Sequence, residues 1–187
     1  MAATTPATAA TSTIRVTAAT TPATVAVSTT TGVANTTASA CPIAGTVGET
    51  SADFPARMSA LVGVAIRTGA RPCFERIVIE LAPAADAAPS LELPGYWLRY
   101  TRSPVTDSPR GEQVDVRGNA VLLVQMGSWM GNLEGFGCRG PYDIAPTNVS
   151  HVQQLLLVNF EGQSAWAIGS TRPIRTRCSR STRRPAW

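Results

Sequence analysis

The chain has 187 residues, 44% hydrophobic content, four cysteines and a formal net charge of +4. This length allows one domain of ordinary size with its own core, and we expect no second domain and no membrane span, because no apolar run reaches about 18 residues. All sixteen basic residues are Arg, and the absence of Lys excludes Schiff-base and Ser–Lys catalysis.

Residues 1–40 are predicted to form a disordered leader. They contain fourteen Thr and twelve Ala and carry one charge, that of Arg15. Such a composition buries too little apolar surface to offset the entropy lost on ordering. Ala38-Ser39-Ala40 has the small side chains of a signal cleavage site, but no basic region and no apolar stretch precede it. We therefore predict no signal peptide in this chain.

From Leu61 onward, short segments with a period of two predict strands that end at Gly, Pro or Asp. Asp115 to Asn119 is predicted to be a hairpin turn between two of them. No apolar stripe with helical spacing is longer than two turns. The sequence therefore predicts an all-β fold, either an antiparallel β-sandwich or a partly open barrel. The predicted strands lie at Val62 to Ile66, Ile77 to Leu81, Tyr96 to Tyr100, Gln113 to Val116, Ala120 to Met126, Val152 to Val158 and Gln163 to Gly169.

The positive charge is concentrated at the end of the chain. Six Arg lie between Arg172 and Arg184 with no acid among them, and the remainder carries ten Arg against twelve Asp and Glu, 10 − 12 = −2. Because the body of the domain is not basic, we expect no specific nucleic-acid partner. Polyanion or nucleic-acid binding through the Arg-rich tail stays open as an alternative.

The cysteines show no metal-binding spacing. No CxxC pair is present, and His151 is the one histidine that could join them. We therefore predict no metal site and no cofactor. Ser150 and His151 are neighbours on a strand and point to opposite faces, so they cannot form a nucleophile–base pair.

We predict that the protein is not an enzyme. A secreted hydrolase is the alternative, and it would need a carboxylate pair such as Glu75 with Glu80, or Glu134 with Glu161. Aromatic side chains are the better candidates for ligand contact, because their faces pack on apolar surfaces of sugars and other ligands.

Among the tryptophans, Trp166 is expected to be buried, whereas Trp97 and Trp129 are expected to be exposed ligand-binding candidates. The Gly-rich residues 127–146 are predicted to be a ligand-facing loop, since loops of this length in compact domains are commonly functional.

Four strings over residues 41–169 resemble the AMIN-like domain of exported proteins from GC-rich bacteria. They are RTGARPCFERIVIEL from Arg67, PGYWLRY from Pro94, VDVRGNAVLLVQM from Val114 and APTNVSHVQQLLLVNFEGQSAWAIG from Ala145. The resemblance implies a β-sandwich. The namesake of the family, the amidase N-terminal domain, brings cell-wall hydrolases to peptidoglycan.

The resemblance therefore implies a non-catalytic, secreted module of the cell envelope, with peptidoglycan or an associated polymer as the partner. The family motifs fall on Phe74-Glu75-Arg76 and on Phe160-Glu161, which become candidate ligand-binding residues. An ion pair between Glu75 and Arg76 is the structural alternative. The resemblance also implies a Cys41–Cys73 disulfide.

The sequence departs from the family after Gly169. The family continues with further strands, whereas STRPIRTRCSRSTRRPAW shows no strand pattern. Read in another frame, GC-rich codons for this stretch can yield the Pro-Ala-Arg-Leu-Val type of ending found in the family. We therefore expect residues 170–187 to be an unstructured, out-of-frame tail, with the frameshift near Gly169 or Ser170.

Overall fold

The computed structural model describes residues 12–19, 45–84, 92–107, 111–131, 143–160 and 162–181. These residues form strands joined by turns, and they include no helix, as predicted. The strands are β1 (Ser12–Ala19), β2 (Thr50–Ala52), β3 (Leu61–Arg71), β4 (Phe74–Pro83), β5 (Tyr96–Thr101), β6 (Val105–Asp107), β7 (Glu112–Val114), β8 (Ala120–Met126), β9 (Asp143–Ile144), β10 (Val152–Phe160), β11 (Gln163–Ser170) and β12 (Arg175–Ser181).

Two antiparallel sheets pack face to face as a sandwich. One has four strands in the order β12-β1-β4-β3, and the other has six in the order β2-β5-β8-β11-β10-β9. A separate hairpin of β6 and β7 accompanies them. The core between the sheets is built by alternate residues of each strand, such as Ile77 and Ile79 on β4 and Val124 and Met126 on β8. Trp166 lies in this core with 1% exposure, which confirms its predicted burial.

The hairpin of β6 and β7 packs on the outer face of the six-stranded sheet. Val105 and Val116 from this region form a second apolar cluster with Val121 of β8 and Ala167 of β11. The six-stranded sheet is therefore partly covered on both faces, which explains why the outward positions of β8 and β11 are apolar as well.

The predicted hairpin between β7 and β8 does not form. Strand β7 pairs with β6, whereas β8 pairs with β5 and β11. The turn between them crosses to another sheet and runs against the end of β11. A Cβ atom on Gly118, whose φ is +127°, would lie 2.6 Å from the carbonyl oxygen of Ser170. Glycine is thus required here for a close backbone approach and not for a two-residue hairpin turn.

The two ends of the chain differ from the sequence expectation. The segment Ser12–Ala19, within the predicted leader, is β1 and pairs with β4 on one side and β12 on the other. The segment Arg175–Ser181, within the predicted unstructured tail, is β12. Thr176 and Cys178 of β12 lie toward the core, and Arg175 and Arg177 are exposed. Strand β12 is an edge strand whose side chains alternate between the core and solvent. Arg175 and Arg177 are its solvent-facing residues, and charged side chains are common at such edges.

Candidate functional site

A cleft opens on the outer face of the six-stranded sheet, beside the hairpin of β6 and β7. Because Leu98 of β5 faces the core, its neighbour Arg99 projects to the outer face, and the same alternation turns Gln125 of β8 outward. The cleft has a volume of about 360 Å³. Strands β8 and β11 each supply both apolar and polar residues, and the lining consists of Arg99, Thr101, Pro104, Val105, Thr106, Leu123, Gln125, Gln163, Ser164, Ala165 and Ala167.

Three residues that line the cleft have a fully buried side-chain atom without a hydrogen-bond partner in the described structure: Nε of Arg99, Oε1 of Gln125 and Oγ of Ser164. Ser164 lies on the core side of β11 with Trp166, so Arg99 and Gln125 are the two whose side chains project toward the cleft. Since Arg99 pairs with Leu123 and Trp97 pairs with Gln125, the two residues are diagonal neighbours on adjacent strands, about 7–8 Å apart at Cα. Each unsatisfied group costs about 1–3 kcal/mol of folding free energy. Nε of Arg99 is a donor and Oε1 of Gln125 an acceptor, and because both atoms are buried, a ligand with an acceptor beside a donor would satisfy them only when the two side chains turn toward it.

Trp97 fixes the position of Arg99. The guanidinium carbon of Arg99 lies 4.6 Å from the centroid of the Trp97 ring, a cation–π geometry. Phe54 stacks on the same indole, with ring centroids 6.3 Å apart and an interplanar angle of 27°. Trp97 is consequently half-buried and does not stand exposed as predicted. Its contacts with Phe54 and Arg99 make it a positioning residue at the edge of the cleft.

The match to a family model decides the relationship of this chain to known proteins. The model of the AMIN-like domain matches residues 61–184, from β3 through β12. The chain belongs to the AMIN-like domain family. No curated protein and no solved structure matches it. This membership supports a module related to the cell envelope, and the matched range includes the Arg-rich end of the chain.

In this AMIN-like domain, Glu75 has a structural role as a buried hydrogen-bond acceptor. Its carboxylate is 5% exposed and accepts hydrogen bonds from the backbone N–H groups of Ser150, at 2.5 Å, and of His151, at 3.0 Å. Nδ1 of His151 lies 3.0 Å from the same carboxylate. Arg76, the next residue on the strand, points to the opposite face and lies across Gly69. The Glu75–Arg76 ion pair is therefore absent, because neighbours on a strand cannot meet.

The other predicted site residues do not gather around the cleft. Phe74 is half-buried on the outer face of the four-stranded sheet, next to Arg76. Trp129 is also half-buried, and its carbonyl oxygen accepts a 2.6 Å hydrogen bond from the N–H of Gly63. The side chain of Phe160, the whole of Glu161 and most of the Gly-rich loop, residues 132–142, lie outside the described residues.

Of the two cysteines of the predicted disulfide, the structure describes one. Cys73 is disulfide-bonded, but Cys41 lies outside the described residues, so the Cys41–Cys73 pairing stays a prediction. Cys178 of β12 is a thiol. Across the described ranges, no group of three or more His, Cys, Asp and Glu is placed to hold a metal ion. The same ranges contain no helix with the length and apolar character needed to cross a membrane.

Arg99 and Gln125, the two residues that project unpartnered polar groups toward the cleft, were not predicted from the sequence. A signal was present in each strand. Gln125 interrupts the apolar run from Ala120 to Met126, and Arg99 stands between Leu98 and Tyr100. A long polar side chain within a strand that is apolar on both faces indicates a position where a polar contact is needed, because burying a polar group without a partner is costly.

Proposed function

We propose that this AMIN-like domain is a non-catalytic module that binds peptidoglycan or an associated polymer of the cell envelope in the cleft between β5, β8 and β11. The observation that carries the proposal is the pair of buried, unpartnered groups on Arg99 and Gln125 in one cleft. Native proteins keep such groups where a function needs them, since their desolvation is unfavourable for folding.

The chemistry of the cleft fits an amide-bearing sugar or peptide unit of a wall polymer. Arg99 donates to a carbonyl or carboxylate oxygen, and Oε1 of Gln125 accepts from a hydroxyl or amide N–H. The apolar floor of Leu123, Ala165 and Ala167 packs against the apolar face of a ring. A volume of about 360 Å³ suits one or two such units.

The absence of catalysis is part of the proposal, and the placement of the titratable groups supports it. Among the described residues that line the cleft there is no Asp, Glu, His or Cys. His151 is half-buried, and its Nδ1 lies 3.0 Å from the carboxylate of Glu75. Glu75 and Glu80 are five positions apart on β4 and so face opposite sides of the sheet, which argues against that pair as the two carboxylates of a glycosidase.

The test is co-sedimentation of the purified protein with purified cell walls, comparing the wild type with Gln125→Leu. We expect the wild type in the pellet and the variant in the supernatant. Because the substitution removes an unsatisfied buried acceptor, we also expect an unchanged or higher melting temperature, which separates lost binding from lost folding.

Gln153→Leu is the matched control, because Gln153 is exposed on β10 and does not line the cleft. It should sediment like the wild type. Equal sedimentation of the wild type and Gln125→Leu, or a wild type that stays wholly in the supernatant, would contradict the proposal.

A further inference from the structure

The outer face of the four-stranded sheet collects arginines from β3, β4 and β12. The strand register places Arg71, Phe74, Ala19 and Arg175 in one row across the sheet. The next row joins Gly69, Arg76, Thr17 and Arg177 in the same way. Residues of the same row lie on one face, opposite to the face that builds the core. We call this surface the arginine face and define it by Arg67, Arg71, Arg76, Arg175, Arg177 and Glu80; Arg67, Arg71, Arg175 and Arg177 are exposed, whereas Arg76 is buried at 6% exposure.

The arginine face is strongly basic. The residues that define it sum to 5 − 1 = +4, and the register places Arg15 of β1 in the row of Arg67. Glu80 forms an ion pair with Arg67, so its negative charge does not offset the other arginines. The excess charge therefore lies on the arginines of the last strand and of the β3–β4 hairpin.

Three of these arginines face solvent without a carboxylate. Arg71, Arg175 and Arg177 are exposed, and none of them forms an ion pair within the described ranges. Arg71 and Arg175 each donate a 3.3 Å hydrogen bond to a backbone carbonyl oxygen. Neutral oxygens compensate a guanidinium only in part, so the three side chains present available cationic donors.

The spacing of these cations fits a chain-like anion. The two rows lie about 7 Å apart along the strands, and Arg71 and Arg175 are separated by three strand spacings, about 14 Å. A compact anion cannot touch cations so far apart, whereas a linear polymer can. A membrane surface fits less well, because the exposed large hydrophobic residues of the described ranges, Val47 and Met58, lie outside the strands of this face.

We propose that the arginine face is a second binding surface, which takes a linear phosphodiester polymer of the cell envelope. A phosphodiester keeps its negative charge at physiological pH and presents paired oxygens that match the guanidinium fork. This surface goes beyond the cleft of the proposed function and lies on the opposite side of the sandwich. The two sites are therefore separable by mutation.

The experiment is a fluorescence-anisotropy titration of labelled poly(glycerol phosphate) with the full chain at several NaCl concentrations. We expect the logarithm of the association constant to fall linearly with that of the salt concentration. The double variant Arg175→Gln/Arg177→Gln should lower this slope by about 1.4, at about 0.7 for each lost contact, and weaken binding on the order of ten-fold.

The charge-matched control is Arg102→Gln/Arg117→Gln, which removes two exposed arginines outside the arginine face. It should leave most of the affinity and the slope in place. Gln125→Leu should bind the polymer like the wild type, so a failure of the cleft and a failure of the arginine face are distinguishable. Melting temperatures of all variants verify folding.

Several outcomes would overturn the proposal. They are the absence of binding at low salt, an equal loss in the control double variant, or an unchanged slope in Arg175→Gln/Arg177→Gln. Tighter binding to phosphatidylglycerol vesicles or to a single-stranded oligonucleotide, with the same arginine dependence, would assign the surface to a membrane or to nucleic acid instead.

Discussion

Replacement of Glu75 tests whether the sandwich depends on a buried carboxylate. Glu75 is 5% exposed and accepts bonds from two backbone N–H groups, at Ser150 and His151, while the His151 ring lies beside it. Glu75→Ala removes a buried carboxylate and leaves these part-buried donors without their acceptor. Loss of one member of such a buried network costs about 3–5 kcal/mol.

The assay is equilibrium unfolding in urea. With a slope of about 2 kcal/mol per molar urea, the expected loss lowers the midpoint by about 2 M. Glu112→Ala is the control, since Glu112 is exposed on β7, and it should change the free energy of unfolding by about 0.5 kcal/mol or less. A Glu75→Ala midpoint within about 0.3 M of the wild type, a loss of about 0.6 kcal/mol at this slope, would refute the assigned role.

Two further substitutions probe the contacts between the sheets. Tyr100→Phe removes the hydroxyl that donates to the carbonyl of Ile174 at 2.8 Å and accepts from its N–H at 2.9 Å, so we expect a loss of about 1–3 kcal/mol in urea unfolding. Burial raises the pKa of Tyr100, against a smaller lowering by the Ile174 hydrogen bond. The protonated phenol therefore stabilises the fold below about pH 10, and this contribution is lost as the pH rises through the higher folded pKa, a decline that Tyr100→Phe should abolish. Gly169→Ala places a Cβ atom 1.8 Å from the carbonyl oxygen of Arg117, so it should cost about 1–3 kcal/mol or more by thermal unfolding. Gly69→Ala meets its nearest atom at 3.6 Å and should be far milder, and equal losses would contradict this reading.

Core strands that bury one face were predictable from the sequence. Period-two alternation at Ile77 and Ile79 needs no knowledge of the partner strands. The burial of Trp166 was also predicted from the sequence. Local periodicity was therefore sufficient for the fold class and for much of the core.

Pairing between distant segments could not be predicted in this way. The turn after β7 has hairpin composition, yet its strands join different sheets, because register and packing of the whole sandwich decide their partners. Arg175 and Arg177 were taken for a tail because their charge concealed an alternation with Thr176 and Cys178. The cleft arises only when register places Arg99 diagonally across from Gln125.

The most direct test of the account is a ¹H–¹⁵N NMR titration of the full chain with soluble, defined fragments of peptidoglycan. We expect shifts of the Arg99 Nε–H and Gln125 side-chain amide signals, together with those of backbone amides of β5, β8 and β11 around Leu123 and Ala165. Saturable shifts confined to other parts of the chain, or none at millimolar fragment, would contradict the claim that this AMIN-like domain binds its polymer in the cleft.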